Sequence, residues 1–230
     1  MVEGAFALEA LVVSPYRIRT VLAAARRADD VRALVGDRAP VAVRSDAEVA
    51  EIAGFAFHRG VLASADRRPL PPPAALLGRG GTVVVTEGVG DHENLGALFR
   101  NAAAFGVAAV LADPTTADPL YRRSVRVSLG HVLRVPWTRV DPLPGGLDVL
   151  RDHDYTVVGL TPDPGAEPLR AVDWPERVAL VVGSEGPGLT AATLDAADRR
   201  VRIPLAPGVD SLNVATATAV VLYAKGAPWT

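Results

Sequence analysis

The sequence predicts an α/β fold: a mostly parallel sheet covered by helices, preceded by a smaller α/β unit. Three observations lead there. From residue 82 onward, short continuous apolar runs such as 82–86, 107–111 and 178–182 alternate with helix-length segments. Such runs are strands buried on both faces, as in a parallel sheet between helical layers. Glycines and prolines punctuate the junctions rather than the runs. A proline-rich stretch, Arg67-Arg68-Pro69-Leu70-Pro71-Pro72-Pro73, divides this half from what precedes it.

The first unit, 1–64, reads as a helix at 6–11, a short strand at 20–22, a helix at 29–35 ended by Gly36, and a strand at 41–43. Ser45 and Glu48 form a capping-box pattern that opens a helix to about Gly54, and a last strand covers 61–63. Arg17, Arg19, Arg26, Arg27 and Arg32 are spread through this unit and read as a solvated surface. Residues 65–81 are expected to be a semi-rigid linker, since a proline run neither propagates a helix nor joins a central strand. The second unit, 82–230, reads as strands at 82–86, 107–111, 132–135, 155–160, 178–182 and 201–203. Its helices are expected at 94–105, 120–129, 146–153, 190–196 and 211–224. Ligands of such sheets bind at the carboxyl ends of the strands, so the loops there carry the information.

Composition bounds the function. The 230 residues are 49% hydrophobic and 22% charged, enough for one large domain or two smaller ones. No apolar run reaches membrane-span length. Residues 1–5 lack a basic region followed by an apolar segment, so no secretory signal is expected. The absence of cysteine excludes disulfides, thiolate zinc sites and a cysteine nucleophile, and fits a cytoplasmic protein. His58, His92, His131 and His153 have no metal-ligand spacing, so no metal is expected. A net charge of −2 argues against a non-specific nucleic-acid binder. A local basic cluster nevertheless stands out: Arg122, Arg123 and Arg126, followed by His131, Arg134 and Arg139. It reads either as a solvated helix face or as a phosphate-contacting surface.

Three loops follow strands. In the first, Glu87 to Arg100, the dinucleotide pattern G-x-G-x-x-G fails because Glu93 holds the third glycine position; Asn94, Gly96 and Arg100 stand at the helix mouth instead. The second is Gly183-Ser184-Glu185-Gly186-Pro187-Gly188-Leu189. The third runs from Ile203-Pro204-Leu205 to Ser211-Leu212-Asn213, where Asp210 or Ser211 is the expected cap of the last helix. A further strand end is Gly159-Leu160-Thr161-Pro162. No P-loop and no G-x-S-x-G nucleophile motif occurs.

Taken together, Asn94-x-Gly96-x-x-x-Arg100, Val182-Gly183-Ser184-Glu185-Gly186-x-Gly188-Leu189, and Ile203-Pro204-Leu205 through Ser211-Leu212-Asn213-Val214-Ala215 resemble the three motifs of the SpoU/TrmH family of RNA ribose 2′-O-methyltransferases, of the SPOUT class. The match in order, spacing and context covers about 80–225. Residues 1–64 resemble the small ribosomal-protein-like RNA-binding domain that precedes this core in many members, with 57–63 resembling its closing segment. By the same resemblance, a lead-in common in such proteins is expected to be missing or short.

The resemblance implies a C-terminal trefoil knot, S-adenosylmethionine as cofactor, a homodimer with its active site at the subunit interface, and RNA as substrate, ribosomal before transfer RNA. It implies cofactor contacts at Leu160, Gly183, Ile203, Leu205 and Leu212. It implies a catalytic set of Asn94, Arg100, Glu185, Ser211 and Asn213, with Arg100 acting on the ribose 2′-hydroxyl or its phosphate. RNA contacts are expected at Arg122, Arg123 and Arg126. Asp91-His92-Glu93 departs from the family pattern, in which proline commonly follows the aspartate. The competing readings are a catalytically silent RNA-binding protein of the same fold and a Rossmann-type oxidoreductase; the failed glycine fingerprint disfavours the latter.

Overall fold

The computed structural model describes residues 1–54, 59–78 and 80–226. Phe57 and His58 of the expected closing segment lie outside the described residues. In chain order the first elements are β1 (Val2–Glu3), α1 (Ala5–Val12), β2 (Ile18–Ala24), α2 (Ala28–Val35), β3 (Val41–Arg44), α3 (Asp46–Ala53) and β4 (Val61–Ala65). There follow α4 (Pro73–Leu77), β5 (Thr82–Glu87), α5 (His92–Ala104), β6 (Ala109–Ala112), α6 (Arg122–Val127) and β7 (Trp137–Arg139). The last are α7 (Asp148–Arg151), β8 (Thr156–Leu160), β9 (Glu167–Pro168), β10 (Val178–Gly183), α8 (Ala191–Ala196), β11 (Arg199–Arg202) and α9 (Val214–Lys225). They form two compact units, Met1–Pro69 with Pro119–Arg134, and Leu70–Asp118 with Val135–Thr230.

The first unit holds a four-stranded sheet in the order β1-β4-β2-β3, with β2 and β3 parallel and the other pairs antiparallel. Ala24, Val49 and Leu62 pack together in its core. The capping box of α3 is present: the Ser45 hydroxyl accepts from the Glu48 amide, and the Glu48 carboxylate accepts from the Ser45 amide at 2.9 Å. Such a cap is worth about 1 kcal/mol. Segment 119–134, assigned from sequence to the parallel-sheet half, groups with this unit. Gly130 shows why the chain packs closely there. It has φ +81, and a Cβ would strike the Ala10 side chain and the Ala7 backbone. A left-handed, crowded position of this kind suits only glycine.

Two local expectations are corrected here. The segment 132–135 is not a strand. Gly130 instead starts a 3-10 turn, His131–Leu133, in which the Leu133 amide donates to the Gly130 carbonyl. The strand of this region is β7, which begins after Pro136 and pairs with β6. The stretch 65–81 is not wholly a spacer either. Pro73 occupies the first turn of α4, where its missing N–H costs nothing, and Leu77 is fully buried in the core.

The second unit is built on a seven-stranded sheet, β7-β6-β5-β10-β8-β11-β9, in which every neighbouring pair is parallel. Period-two alternation assigns the faces. Val83, Val85, Ala109, Leu111, Val157, Ala179 and Val181 form one core with Leu77 of α4 and Leu147 and Leu150 beside and within α7. Each such fully buried leucine contributes about 1.5–3 kcal/mol. Helices α5 and α9 pack against each other, α5 also touching β6 and α9 touching β10. Parallel pairing of β5, β10, β8 and β11 brings their carboxyl ends side by side. The loops after them therefore converge at one edge of the sheet. Among the described residues no helix is long and apolar enough to cross a membrane.

Candidate active site

The start of α9 organises this edge. The expected cap at Asp210 or Ser211 is corrected by the structure: the cap is Asn213, and the helix begins at Val214. The Asn213 Oδ1 accepts from the amides of Ala215 (3.0 Å) and Thr216 (3.2 Å). A two-carbon amide reaches both donors at once, which leaves Ser211 and Leu212 in the loop rather than in a first helical turn. With Oδ1 committed, the Asn213 Nδ2 donates at 2.7 Å to Asn94 Oδ1 and at 2.7 Å to Glu185 Oε1. One amide thus joins a residue from each of the three loops. It also fixes the amide of Asn94, whose Nδ2 remains available as a donor.

Asn94 is held from its own side as well. Asp91 caps α5, its Oδ1 accepting from the amides of Glu93 (2.6 Å) and Asn94 (3.0 Å). A second tie between the helices is the donation from Asn101 Nδ2 to the Ala215 carbonyl at 2.7 Å.

Beside this junction lies a cavity of about 420 Å³, within the ~300–1,000 Å³ usual for small-molecule sites. All five expected cofactor contacts, Leu160, Gly183, Ile203, Leu205 and Leu212, line it. So do Glu185, Ser211 and Asn213 of the expected catalytic set, with Thr161 and Ser184 adding polar groups. Asn94 does not line the cavity, but accepts a hydrogen bond from Asn213, which does. The loop after β10 passes very close to the end of its own strand: a Cβ on Gly183 would collide with backbone atoms of Gly188 and Leu189.

Arg100 stands apart. It is exposed on α5, does not line the cavity, and makes no hydrogen bond or ion pair with any described residue. Arg122, Arg123 and Arg126 lie on α6 in the first unit. Arg122 and Arg126 each approach the carboxylate of Glu3 to 3.8 Å, and Arg59 approaches it to 3.6 Å. Glu3 is buried, so these arginines also neutralise a desolvated charge. Arg139, counted with the basic cluster from sequence, is structural: it donates to the carbonyls of Asp113, Thr116 and Ala117. Among the described residues no three His, Cys, Asp or Glu side chains gather as a metal site.

One support of the site was missed in the sequence. Asp113, buried just after β6, accepts from the amides of Gly88 (3.0 Å) and Thr116 (2.8 Å) and from the hydroxyls of Thr115 and Thr116. Thr116 Oγ1 in turn accepts from the Val89 amide at 3.2 Å. The pair clamps the loop that leads to Asn94. An aspartate followed by Pro-Thr-Thr directly after a buried strand was the available signal. Burial by itself would raise the Asp113 carboxyl, but the Thr115 and Thr116 hydroxyls and the Gly88 and Thr116 amides outweigh it and hold the pKa below the usual value. A depressed carboxylate stabilises the fold above its unfolded pKa, and that contribution is lost as pH falls through the folded value. Asp113→Asn is accordingly expected to lower stability near neutrality by about 1–3 kcal/mol. It should also flatten the acid limb of a plot of melting temperature against pH. An acid limb identical to the parent's would remove Asp113 from that role.

The sequence profile of the SpoU rRNA methylase family matches residues 81–223. This chain belongs to the SpoU rRNA methylase family. A relative in Mycobacterium tuberculosis, named an uncharacterized tRNA/rRNA methyltransferase, is 44% identical over 228 residues, which cover 97% of this chain and 79% of that one. The 23S rRNA (guanosine-2′-O-)-methyltransferase RlmB of Bordetella pertussis is 37% identical over 177 residues, covering 72% and 69% of the two chains. Among solved structures, an AdoMet-bound rRNA methyltransferase from Sinorhizobium meliloti superposes with a TM-score of 0.83 at 26% identity, over 97% of this chain and 85% of that one. The SpoU match spans all three loops that meet at Asn213.

Proposed function

We propose that this chain is an S-adenosylmethionine-dependent RNA methyltransferase that methylates a ribose 2′-hydroxyl, with ribosomal RNA as its substrate. The observation that carries the reading is the hydrogen-bonded junction of the three family motifs, at which Asn213, on the cavity wall with Glu185, donates to both Glu185 and Asn94. The names of the M. tuberculosis and B. pertussis relatives and of the S. meliloti structure support it.

The cavity suits the cofactor on its own chemistry. Leu160, Ile203, Leu205 and Leu212 offer apolar walls for a purine ring, while Ser184, Glu185 and Ser211 offer polar partners. The absence of side-chain bulk at Gly183 lets the loop backbone close over the strand end. When bound, the cofactor supplies an electrophilic methyl group on a sulfonium. The protein's part is to hold the ribose oxygen in line with that methyl, and well-oriented reactants save up to ~7–11 kcal/mol of barrier. Asn94, through its remaining amide donor, positions the target nucleotide. The Glu185 carboxylate lies beside the same junction, where negative charge favours a cationic donor.

Arg100 is assigned to clamp the phosphate next to the target ribose. Its guanidinium stays protonated in a protein, so it does not act as a base, and the proton that the 2′-hydroxyl loses on methylation passes to the neighbouring phosphate or to water. Its exposed position, outside the cavity wall, fits an active site completed across a homodimer interface. A trefoil knot in the C-terminal segment and a cytoplasmic location belong to the same reading. The first unit is read as an RNA-binding domain, with Arg122, Arg123 and Arg126 contributing phosphate contacts.

Titration calorimetry with S-adenosylmethionine, followed by transfer of labelled methyl to ribosomal and transfer RNA, tests the proposal. Micromolar binding and 2′-O-methylation of ribosomal RNA are expected. A folded protein that binds no cofactor returns the chain to the silent RNA-binding reading, and methylation of transfer RNA alone overturns the choice of substrate.

A further inference from the structure

The side chain of Glu87 has no part in the reading above, yet it is buried at the edge of the sheet where the site forms. It ends β5 directly beside Gly183, the last residue of β10, to which it is paired in the parallel ladder. Gly183 opens the glycine-rich loop, and Thr190 closes it as the cap of α8. The Glu87 carboxylate takes hold of that far end. Its Oε2 accepts from the Thr190 amide at 2.9 Å, and its Oε1 accepts from the hydroxyls of Thr190 (3.0 Å) and Thr193 (2.6 Å). Thr190 Oγ1 meanwhile accepts from the Thr193 amide at 3.2 Å. One residue therefore fixes both ends of loop 184–189: the start through its backbone register, the end through its carboxylate. The loop's own bracing is slight, a bridge between Ser184 and Gly188.

We infer that Glu87 is a positioning residue for the cofactor, acting through loop 184–189 and touching neither cofactor nor substrate. This rests on the cofactor reading of the cavity. Ser184, Glu185 and Gly188 line the cavity, and Glu87 does not. A carboxyl side chain suits this place because three donors converge on it. Its two oxygens provide about four acceptor sites, whereas a glutamine offers one accepting oxygen and presents N–H groups to the hydroxyls. Charge-assisted bonds are also about twice as strong as neutral ones. A loop that must be ordered on binding loses affinity through that ordering, while the chemical step at saturation is little changed.

The test is Glu87→Gln, with Thr193→Val as a second variant that deletes one donor and keeps the β-branched shape. The probe is S-adenosylhomocysteine, measured by calorimetry on the full chain, alongside steady-state kinetics and thermal unfolding. Both variants are expected to fold. Glu87→Gln should raise the dissociation constant and the KM for S-adenosylmethionine about tenfold, with kcat within about twofold of the parent. Thr193→Val should shift the same two constants by about threefold. Amide exchange at Leu189 and Thr190 should quicken in Glu87→Gln without ligand present. A dissociation constant equal to the parent's overturns the inference, as does a loss of kcat with KM unchanged. If Glu87→Gln does not fold, an unaltered dissociation constant in Thr193→Val overturns it. Failure of the parent itself to bind S-adenosylhomocysteine overturns the cofactor reading, and the inference with it.

Discussion

Arg100→Ala is expected to lower methyl transfer by about 10²-fold, the loss that follows when a contact orienting the reacting ribose is removed. Cofactor affinity should stay within about twofold, because Arg100 does not line the cavity. The structure makes this a clean experiment. The side chain is exposed and makes no hydrogen bond or ion pair with a described residue, so its removal breaks none among them. Arg100→Lys should recover little, since an ammonium cannot grip a phosphate through two parallel N–H donors. Single-turnover methylation of RNA, with calorimetry of the cofactor as control, checks the prediction. Unchanged turnover would remove Arg100 from the mechanism.

Gly183→Ala is expected to abolish cofactor binding, raising the dissociation constant more than about 100-fold, a loss of about 2.7 kcal/mol or more. The added methyl would meet the backbone of Gly188 and Leu189, not the end of a flexible side chain. Relief therefore requires the loop to move away from β10, carrying Glu185 from its bond with Asn213. Overpacking of this kind also costs about 1–3 kcal/mol of stability. Gly78→Ala is the control: that residue has a right-handed helical conformation, and a Cβ there meets nothing within 4 Å. Calorimetry and thermal unfolding of both variants separate the loss of the pocket from a loss of fold. Near-parental binding by Gly183→Ala would show that the loop does not form the cofactor wall.

The alternation of apolar strands and helices was legible because both faces of this sheet are covered, so the strands are written as unbroken Val and Leu runs. The capping box at Ser45 and Glu48 was legible because it is purely local. What escaped depends on partners distant in sequence. Pro73 looked like part of a spacer, but Leu77 four residues later has a core to enter. The strand at Trp137–Arg139 is short and follows a proline; only β6 makes it a strand. In the site, the motifs pointed to Asn213 without revealing that its carbonyl caps α9, because Asp210 and Ser211 are equally good caps by composition. Glu87 and Asp113 escaped for a related reason. A carboxylate at the end of a strand becomes informative only when the donors it meets, from Thr190 and Thr193 or from Gly88 and Thr116, are known.

The order in which the chain becomes available adds a constraint on folding. Asn94 and Asn213 are 119 residues apart, and Glu87 and Thr193 are 106 apart. Non-local pairings of this length form slowly, because loop closure must precede any gain from contact. Strands β5 and β6 can pair while the chain is still emerging, but the neighbour of β5 on its other side is β10. During synthesis the edge of β5 therefore waits, unpaired, for a strand made much later, and an open edge of this kind is prone to wrong pairing. The cavity beside Asn213 is among the last features the chain can acquire, and a ligand that binds only the completed cavity would pull late folding intermediates toward the native state.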